Sequence, residues 1–469
     1  MNLLSIHLLS ENLEGYAFAF LVICILCACI FEFVNGFHDT ANAVATVIYT
    51  NSLKPMYAVV WSGFWNFIGV WAGGIAVAMS IVNLLPLTDM LDQTMQESVA
   101  IILSVLLAAI VWNVWTWYYG IPCSSSHTLI GSLLGAGLGF QLVNEGAGVN
   151  WGKAIDIGLS LLMSPAFGFS AVILLMFVFR AIFKNKNKVI FQPPHGKDAP
   201  PLWIRSILIT TCTLVSFFHG SNDGQKGVGL MMIILMTFLP VHFTLNTDFD
   251  KRIAVIELDN IGCILSSNAQ NSLVSKELLS SVKSIEELKT DILNLDETDK
   301  KAKFSIRKRI QKLNKSLKST LKDPDVISSF SDRRKIESSL KSVSDYTDYA
   351  PLWVIFMIAL SIGFGTMIGW KRIVVTIGEK IGKTHLTYAQ GAAAEIVAAS
   401  TIGLSTGLGL PVSTTHVLSS GIAGSMVASN GVQNLQKGTI KSIAIAWILT
   451  LPVTILLAGG LFLLFHYFI

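Results

Sequence analysis

Gly36-Phe37-His38-Asp39-Thr40-Ala41-Asn42 lies inside an apolar run that extends from Tyr16 to Thr50. A carboxylate, an imidazole and a carboxamide therefore interrupt a stretch long enough to cross a bilayer, which takes about 20 predominantly apolar residues. An ionisable group at membrane depth costs about 2.5 kcal/mol or more unless it is paired or hydrated, so such groups mark substrate paths and proton relays. The stretch has a counterpart at Gly220-Ser221-Asn222-Asp223-Gly224-Gln225-Lys226, within a second apolar run from Ser206 to Leu239. The two align without gaps: Gly36 on Gly220, His38 on Asn222, Asp39 on Asp223 and Asn42 on Lys226.

The surroundings are those of a polytopic helical membrane protein. The 469 residues are 52% hydrophobic and 14% charged, with a mean hydropathy of +0.59, whereas a soluble chain carries about 25% charged residues. Long solid apolar runs exclude a transmembrane β-barrel, whose segments alternate. Ten apolar segments can be drawn, roughly 16–50, 57–86, 98–119, 121–143, 154–183, 206–240, 351–370, 386–408, 411–429 and 439–467. The first and sixth run to about 35 residues, or about 52 Å as straight helix, against a hydrocarbon core of about 30 Å. They are expected to be broken, strongly tilted, or pairs of shorter pieces. The first fourteen residues hold Glu11 and Glu14 and no Lys or Arg, so the first run reads as a retained span rather than a cleaved signal. Cys24-x-x-Cys27 has no second pair or nearby His, and five of the six cysteines lie in apolar segments, which reads as packing thiols.

Charge is segregated. Asn246–Ala350 holds 19 Lys/Arg and 17 Asp/Glu, leaving 15 basic and 13 acidic residues for the rest of the chain. The net charge of +4 thus reflects a hydrophilic insert and does not point to nucleic acid. Within it, Leu278, Val282, Ile285, Leu288, Ile292 and Leu295 follow helical spacing, and Asp323-Pro324-Asp325 ends a helix or turns the chain. A small helical hairpin is expected. Basic residues in short loops set orientation. With the N-terminus outside, 13 of the 15 basic residues beyond the insert fall in the cytoplasm; Lys153 falls outside and Lys226 within the membrane. The insert and both termini then face outside.

A second pair of segments completes a repeat. Pro122-Cys123-Ser124-Ser125-Ser126-His127 matches Pro411-Val412-Ser413-Thr414-Thr415-His416. Asp39 precedes Ser124 by 85 residues and Asp223 precedes Ser413 by 190; the difference, 105, is the length of the insert. Each half thus has five apolar segments, an odd number, so the second crosses in the opposite sense. Inverted repeats of this kind build many secondary transporters, with sites near the midplane where the repeats meet. The expected organisation is membrane repeat 1 (1–183), a basic cytoplasmic linker (184–205), the start of repeat 2 (206–245), the insert (246–350) and the rest of repeat 2 (351–469).

The chemistry divides by sign. A Pro followed by Ser and Thr starts and caps a helix. Its free first-turn amides, with hydroxyls and about half a positive charge, form an anion site. Two such ends could cradle a tetrahedral oxyanion; a single copy more simply satisfies backbone groups. Asp39 and Asp223 repel an anion when ionised, so beside it they suit cations or protons. Asn42 and Lys226 lie one turn on, on the same faces. His38, His127, His219 and His416 are candidate relays or donors. Glu32, two turns before Asp39, and Glu395, aligned with Leu106, are candidate proton carriers. Trp112, Trp115 and Trp117 read as an interfacial belt, within which Asn113 could reach the site.

At these residues the chain resembles the inorganic phosphate transporter (PiT) family, which carries two Gly-x-Asn-Asp-x-x-Asn type motifs and two Pro-x-Ser-[Ser/Thr]-[Ser/Thr]-His motifs. GFHDTANAVATVIYT from Gly36, HGSNDGQKG from His219 and PVSTTHVLSS from Pro411 are most similar to the bacterial low-affinity, proton-coupled branch. The resemblance implies phosphate ligands at Ser124, Ser125, Ser126, Ser413, Thr414 and Thr415. It implies coupling-ion or site residues at Asp39, Asn42 and Asp223, with His38 and Asn222 beside them, and re-entrant hairpins at the Ser/Thr motifs. His38 and Lys226 stand where sodium-coupled members have Asn, which favours protons over sodium. The expected activity is import of phosphate, as a neutral complex with a divalent metal such as Mg, by proton symport across a bacterial inner membrane. No resident cofactor is expected, and a homodimer is a candidate assembly. The alternatives are a sodium-coupled phosphate or sulfate symporter and, in other classes, a phosphate sensor or an intramembrane Ser/His/Asp hydrolase. The last lacks a Gly-x-Ser-x-Gly elbow.

Overall fold

A computed structural model describes residues 15–85, 94–144, 149–183, 188–194, 196, 198–269, 275–321, 326–327 and 329–468. Glu11, Glu14 and Asp323-Pro324-Asp325 lie outside these. Contacts divide the chain into two units, one up to Ile234 and from Ala350 onward, the other Leu235–Tyr349.

In the first unit the helices are α1 (Gly15–Tyr49), α2 (Pro55–Ala72), α3 (Ala76–Val82), α4 (Met95–Tyr118), α5 (Ser125–Val143), α6 (Trp151–Phe183) and α7 (Leu202–Phe238). The intervening unit contains α8 (Pro240–Phe243), α9 (Lys251–Ala269), α10 (Ser275–Leu293), α11 (Lys300–Thr320) and α12 (Phe330–Ser344). The first unit resumes with α13 (Leu352–Met367), α14 (Lys371–Val375), α15 (Tyr388–Gly407), α16 (Thr414–Asn430) and α17 (Lys437–Phe468). Among the described residues six helices are long and apolar enough to cross a membrane, and eight spans result if each of two bent pairs counts as one.

The two halves repeat element by element. Each opens with a long helix, of 35 residues in α1 and 37 in α7. Each continues with a bent pair: α2 and α3 meet at 75°, α13 and the helix from Lys371 to Lys380 at 55°. Each ends in a long helix with an internal proline, Pro165 in α6 and Pro452 in α17. The breaks expected in the two longest segments fall in the bent pairs instead. Gly74 at φ +73° and Gly369 at φ +75° turn the chain there, a backbone region that L side chains rarely adopt. The glycines of α1 and α7 serve close packing. A Cβ on Gly36 would meet the Ile362 carbonyl of α13, and one on Gly220 the Asn66 carbonyl of α2, so both helices run continuously.

The halves also pack reciprocally. α5 lies along α17 and α16 along α6. Gly135 faces the Ile455 backbone and Gly424 the Phe169 carbonyl. Small residues let helices approach closely where lipid supplies no hydrophobic drive for their association. α6 and α17 form the outside: 17% and 22% of their apolar windows are buried, against 72% for α4 and α5. Trp115 is exposed as an interfacial belt requires. Trp112 instead turns inward, donating to Thr450 Oγ1 at 3.2 Å, because its face of α4 packs on α17.

The second unit exceeds the expected hairpin. Its four longer helices, α9–α12, share an apolar core that includes Leu258, Leu278, Ile285, Leu288, Ile292, Ile306, Ile310 and Leu340. The short α8 ends on positive charge, since Lys303 Nζ donates to Val241 O at 2.9 Å and Arg307 to Thr244 O at 2.8 Å. Cations suit the carbonyl end of a helix. Burial lowers the pKa of Arg307, opposed by the charge of Asp348.

Candidate functional site

In both Ser/Thr motifs the proline and the residue after it lie outside the helix, which starts at the same motif position. Ser124 (φ −89°, ψ 112°) caps α5 by accepting from His127 N at 3.2 Å. Ser413 (φ −91°, ψ 103°) caps α16 by accepting from His416 N at 3.1 Å. Both starts are buried deep in the protein, and the His127 and His416 rings lie 4.5 Å apart. Two helix N-termini from opposite halves therefore meet, as the inverted repeat requires.

They meet at Asp39. Ser125 of α5 donates to Asp39 Oδ2 at 3.1 Å and lies 3.5 Å from Asp223 Oδ2. Thr415 of α16 donates to Asp39 Oδ1. Asn42 Nδ2 donates to Asp39 Oδ1 at 2.8 Å and to Thr415 Oγ1 at 3.1 Å. The second copy has the same construction. Lys226 Nζ donates to Asp223 Oδ1 at 2.6 Å, to Ser126 Oγ and to Val412 O at 3.4 Å. In each half the residue one turn after the aspartate thus joins that aspartate to the hydroxyl motif of the other half. Asp39, Asp223, Asn42 and Lys226 are each 0–1% exposed, so every one of these polar atoms depends on its partner.

His219 stands between the two carboxylates, its Nε2 3.4 Å from an oxygen of each. That spacing suits ion pairing but not a well-directed hydrogen bond. Nδ1 is held by Asn66 Oδ1 at 2.8 Å, so α2 of the first half orients an imidazole of the second. Asp39, His219 and Asp223 present ligand atoms within 4.8 Å of one another, a donor set that fits a metal ion.

Other candidates sit elsewhere. His38 turns away to Thr116 Oγ1 at 3.1 Å. Asn222 binds Thr406 Oγ1 at 3.0 Å and the Leu410 carbonyl at 3.3 Å, supporting the chain that leads into the second motif. Thr414 is buried at the start of α16. Glu32 accepts from Asn35 at 3.1 Å, packed where a Cβ on Gly227 would collide with it. Glu395 accepts from Thr46 and Thr211. The Asn113 side-chain atoms have no partner among the described residues. Asn66 is the site residue that sequence reasoning missed. Its signal was a lone carboxamide in the apolar run Trp65-Asn66-Phe67.

Residues 35–458 match the phosphate transporter family, PHO4. The chain is 40% identical over 463 residues to a low-affinity inorganic phosphate transporter of Buchnera aphidicola (subspecies Acyrthosiphon pisum, strain APS), covering 92% of this chain and 94% of that one. It is 38% identical over 471 residues to the low-affinity inorganic phosphate transporter PitA of Escherichia coli K12, with the same coverages of 92% and 94%. A solved structure described as the sodium-dependent phosphate transporter shares the fold, with TM-score 0.56 and 20% identity over 96% of this chain and all of that one. The chain is therefore a polytopic membrane transporter belonging to the phosphate transporter family.

Proposed function

We propose that the chain imports inorganic phosphate, carried as a neutral divalent metal–phosphate complex, by proton symport with alternating access. The observation that carries this reading is the meeting of two capped helix N-termini, from inverted halves, at one buried Asp–His–Asp cluster. Free first-turn amides with Ser125, Ser126, Thr414 and Thr415 suit an oxyanion. Asp39, Asp223 and His219 suit the positive charge that must travel with it.

That charge is required by the membrane potential. Moving one charge against 100 mV costs about 2.3 kcal/mol, and divalent phosphate entering a negative interior costs about twice that. A bound divalent metal or protons offset it. Lys226 in place of a neutral ligand fills part of the site with fixed positive charge, which favours protons over sodium at the second copy. The bias of basic residues supports a cytoplasmic side for Arg180, Lys371, Arg372 and Lys380 and the cavities they line, with the insert on the outer side.

Phosphate uptake into proteoliposomes, with metal, pH gradient and sodium gradient varied independently, tests the reading. Uptake should follow the inward proton gradient and fall on chelation. A rate that depends on sodium but not on pH would transfer the reading to sodium symport. Indifference to both the gradient and the chelator would remove the coupling altogether.

A further inference from the structure

Glu395 is fully buried in α15 and is held by hydroxyls from two other helices. Thr46 of α1 donates to Oε1 and Thr211 of α7 to Oε2. Cys212, next to Thr211 in sequence, is a titratable neighbour; no Lys, Arg, His or acidic side chain among the described residues pairs with Glu395. Glu395 is thus an intramembrane carboxylate with only neutral partners.

The other half argues against a purely structural role. The residue aligned with Glu395 is Leu106, which lines a small apolar cavity with Leu85, Ile102, Val105, Leu133 and Leu230. The repeat fills this position with hydrocarbon where packing alone is needed. The hydroxyl partners, moreover, can serve two protonation states. Thr211 Oγ1 lies within hydrogen-bond reach of both Glu395 Oε2 and the Leu208 carbonyl, the latter at 3.1 Å. With Glu395 ionised, the Thr211 hydroxyl donates to it. With Glu395 protonated, its O–H can donate to Thr211 Oγ1 while the hydroxyl hydrogen turns to Leu208. Neither state leaves a buried polar atom unpaired.

Position supplies the direction. Thr46 is seven residues beyond Asp39 on one face of α1, about 10 Å along the axis. Tyr49, three residues further, lines a cavity of ≈ 580 Å³ that also includes Lys371 and Glu379. Thr387 and Gln390, at the start of α15, line another of ≈ 520 Å³ with Arg180. Glu395 therefore lies between the central cluster and the two cavities on the basic, cytoplasmic side.

We infer that Glu395, with Thr46 and Thr211, is the inner station through which the coupling proton leaves the central site for the cytoplasm. An O–H bond forms at its carboxylate as a proton arrives through water from the cluster. The bond breaks when that proton passes to water in the inner cavities. This inference rests on the proton-coupled reading above.

The test compares two modes of transport by purified protein in proteoliposomes carrying an internal pH dye. Phosphate–phosphate exchange moves no net proton, whereas net uptake does. For Glu395→Gln, net proton-driven uptake should fall about 100-fold, the scale of a lost proton-transfer group. Exchange should stay within a few-fold of the parent, and Glu395→Asp should restore much of the net uptake. Normal net uptake with the parental proton-to-phosphate ratio would overturn the inference. So would equal loss of exchange and net uptake in both variants, since that marks a packing role. If the parent protein itself moves no protons with phosphate, the proton-coupled reading fails first, and the parent measurement shows it.

Discussion

Asn42 and Lys226 occupy equivalent places in the two halves and make equivalent contacts. Each donates to the aspartate one turn earlier and to a hydroxyl of the opposite motif, Thr415 for Asn42 and Ser126 for Lys226. Lys226 adds a longer contact to the Val412 carbonyl at 3.4 Å, and the side chains differ in charge. Asp223 thereby accepts from Lys226 Nζ at 2.6 Å, while Asp39 accepts from Asn42, Ser125 and Thr415, which are neutral. A symmetric frame thus holds an asymmetric pair of carboxylates. Asp223 has a lysine amine as its close partner, and Asp39 has hydrogen bonds from neutral groups, with His219 near both. Under the proposed coupling, this difference makes Asp39 the candidate carrier of the exchangeable proton or cation, with His219 shared between the two carboxylates.

The largest break in that comparison is Asp39→Asn. It removes the carboxylate on which both helix starts converge, and proteoliposome uptake should fall about 100-fold or more, as losing about 3 kcal/mol of site interactions implies. Parental uptake in this variant would take Asp39 out of the mechanism. Next comes the fixed pair. Lys226→Met leaves Asp223 without its counter-charge, and breaking a buried pair by removing one partner costs about 3–5 kcal/mol. Thermal unfolding in detergent should show that loss. It should show a clearly smaller one for Asp223→Asn combined with Lys226→Met, because the pair then leaves together. Additive destabilisation would mean that the two residues are not coupled in the folded protein.

How legible the site was depended on helical geometry. Asn42, Lys226 and His219 lie three or four residues from an aspartate, hence on its face, and all three reach the cluster. His38 and Asn222 adjoin the aspartates in sequence, but successive helical residues point about 100° apart. They face Thr116 and Thr406 instead. The central place of His219 was not legible, because it needs Asn66 from a different helix to hold the ring. The inverted repeat was legible, since both motifs recur in order at matched spacing. The bends were not, because Gly74 and Gly369 are identified by a positive φ that many other glycines in the chain do not adopt. The insert showed its hydrophobic stripe, but the number of helices sharing that core emerges only from tertiary packing.

Asn42→Ala sharpens the comparison from its neutral side. The variant loses two hydrogen bonds between uncharged or singly charged partners, worth about 1–3 kcal/mol together. Uptake should drop about tenfold, less than for Asp39→Asn, and stability should change far less than in Lys226→Met. A loss as deep as that of Asp39→Asn would show that the carboxamide oxygen, which has no partner among the described residues, is itself a ligand to the transported ion or metal.

The smallest effect tests the frame rather than the charges. Ser124 and Ser413 cap their helices with nearly the same backbone angles and nearly the same distance to the histidine amide, 3.2 and 3.1 Å. Each cap substitution to Ala should cost about 0.5–2 kcal/mol. Because the cap geometry is shared, the loss of the cap alone contributes equally in Ser124→Ala and Ser413→Ala. One further contact separates them: His127 Nδ1 lies 2.9 Å from Ser124 Oγ, whereas the ring nitrogens of His416 have no partner among the described residues. Ser124→Ala should therefore be the more damaging of the two by roughly one hydrogen bond, about 1 kcal/mol. The reverse order would mean that the second helix start carries more of the load. The asymmetry of the molecule would then extend from the charges at Asn42 and Lys226 to the frame that holds them.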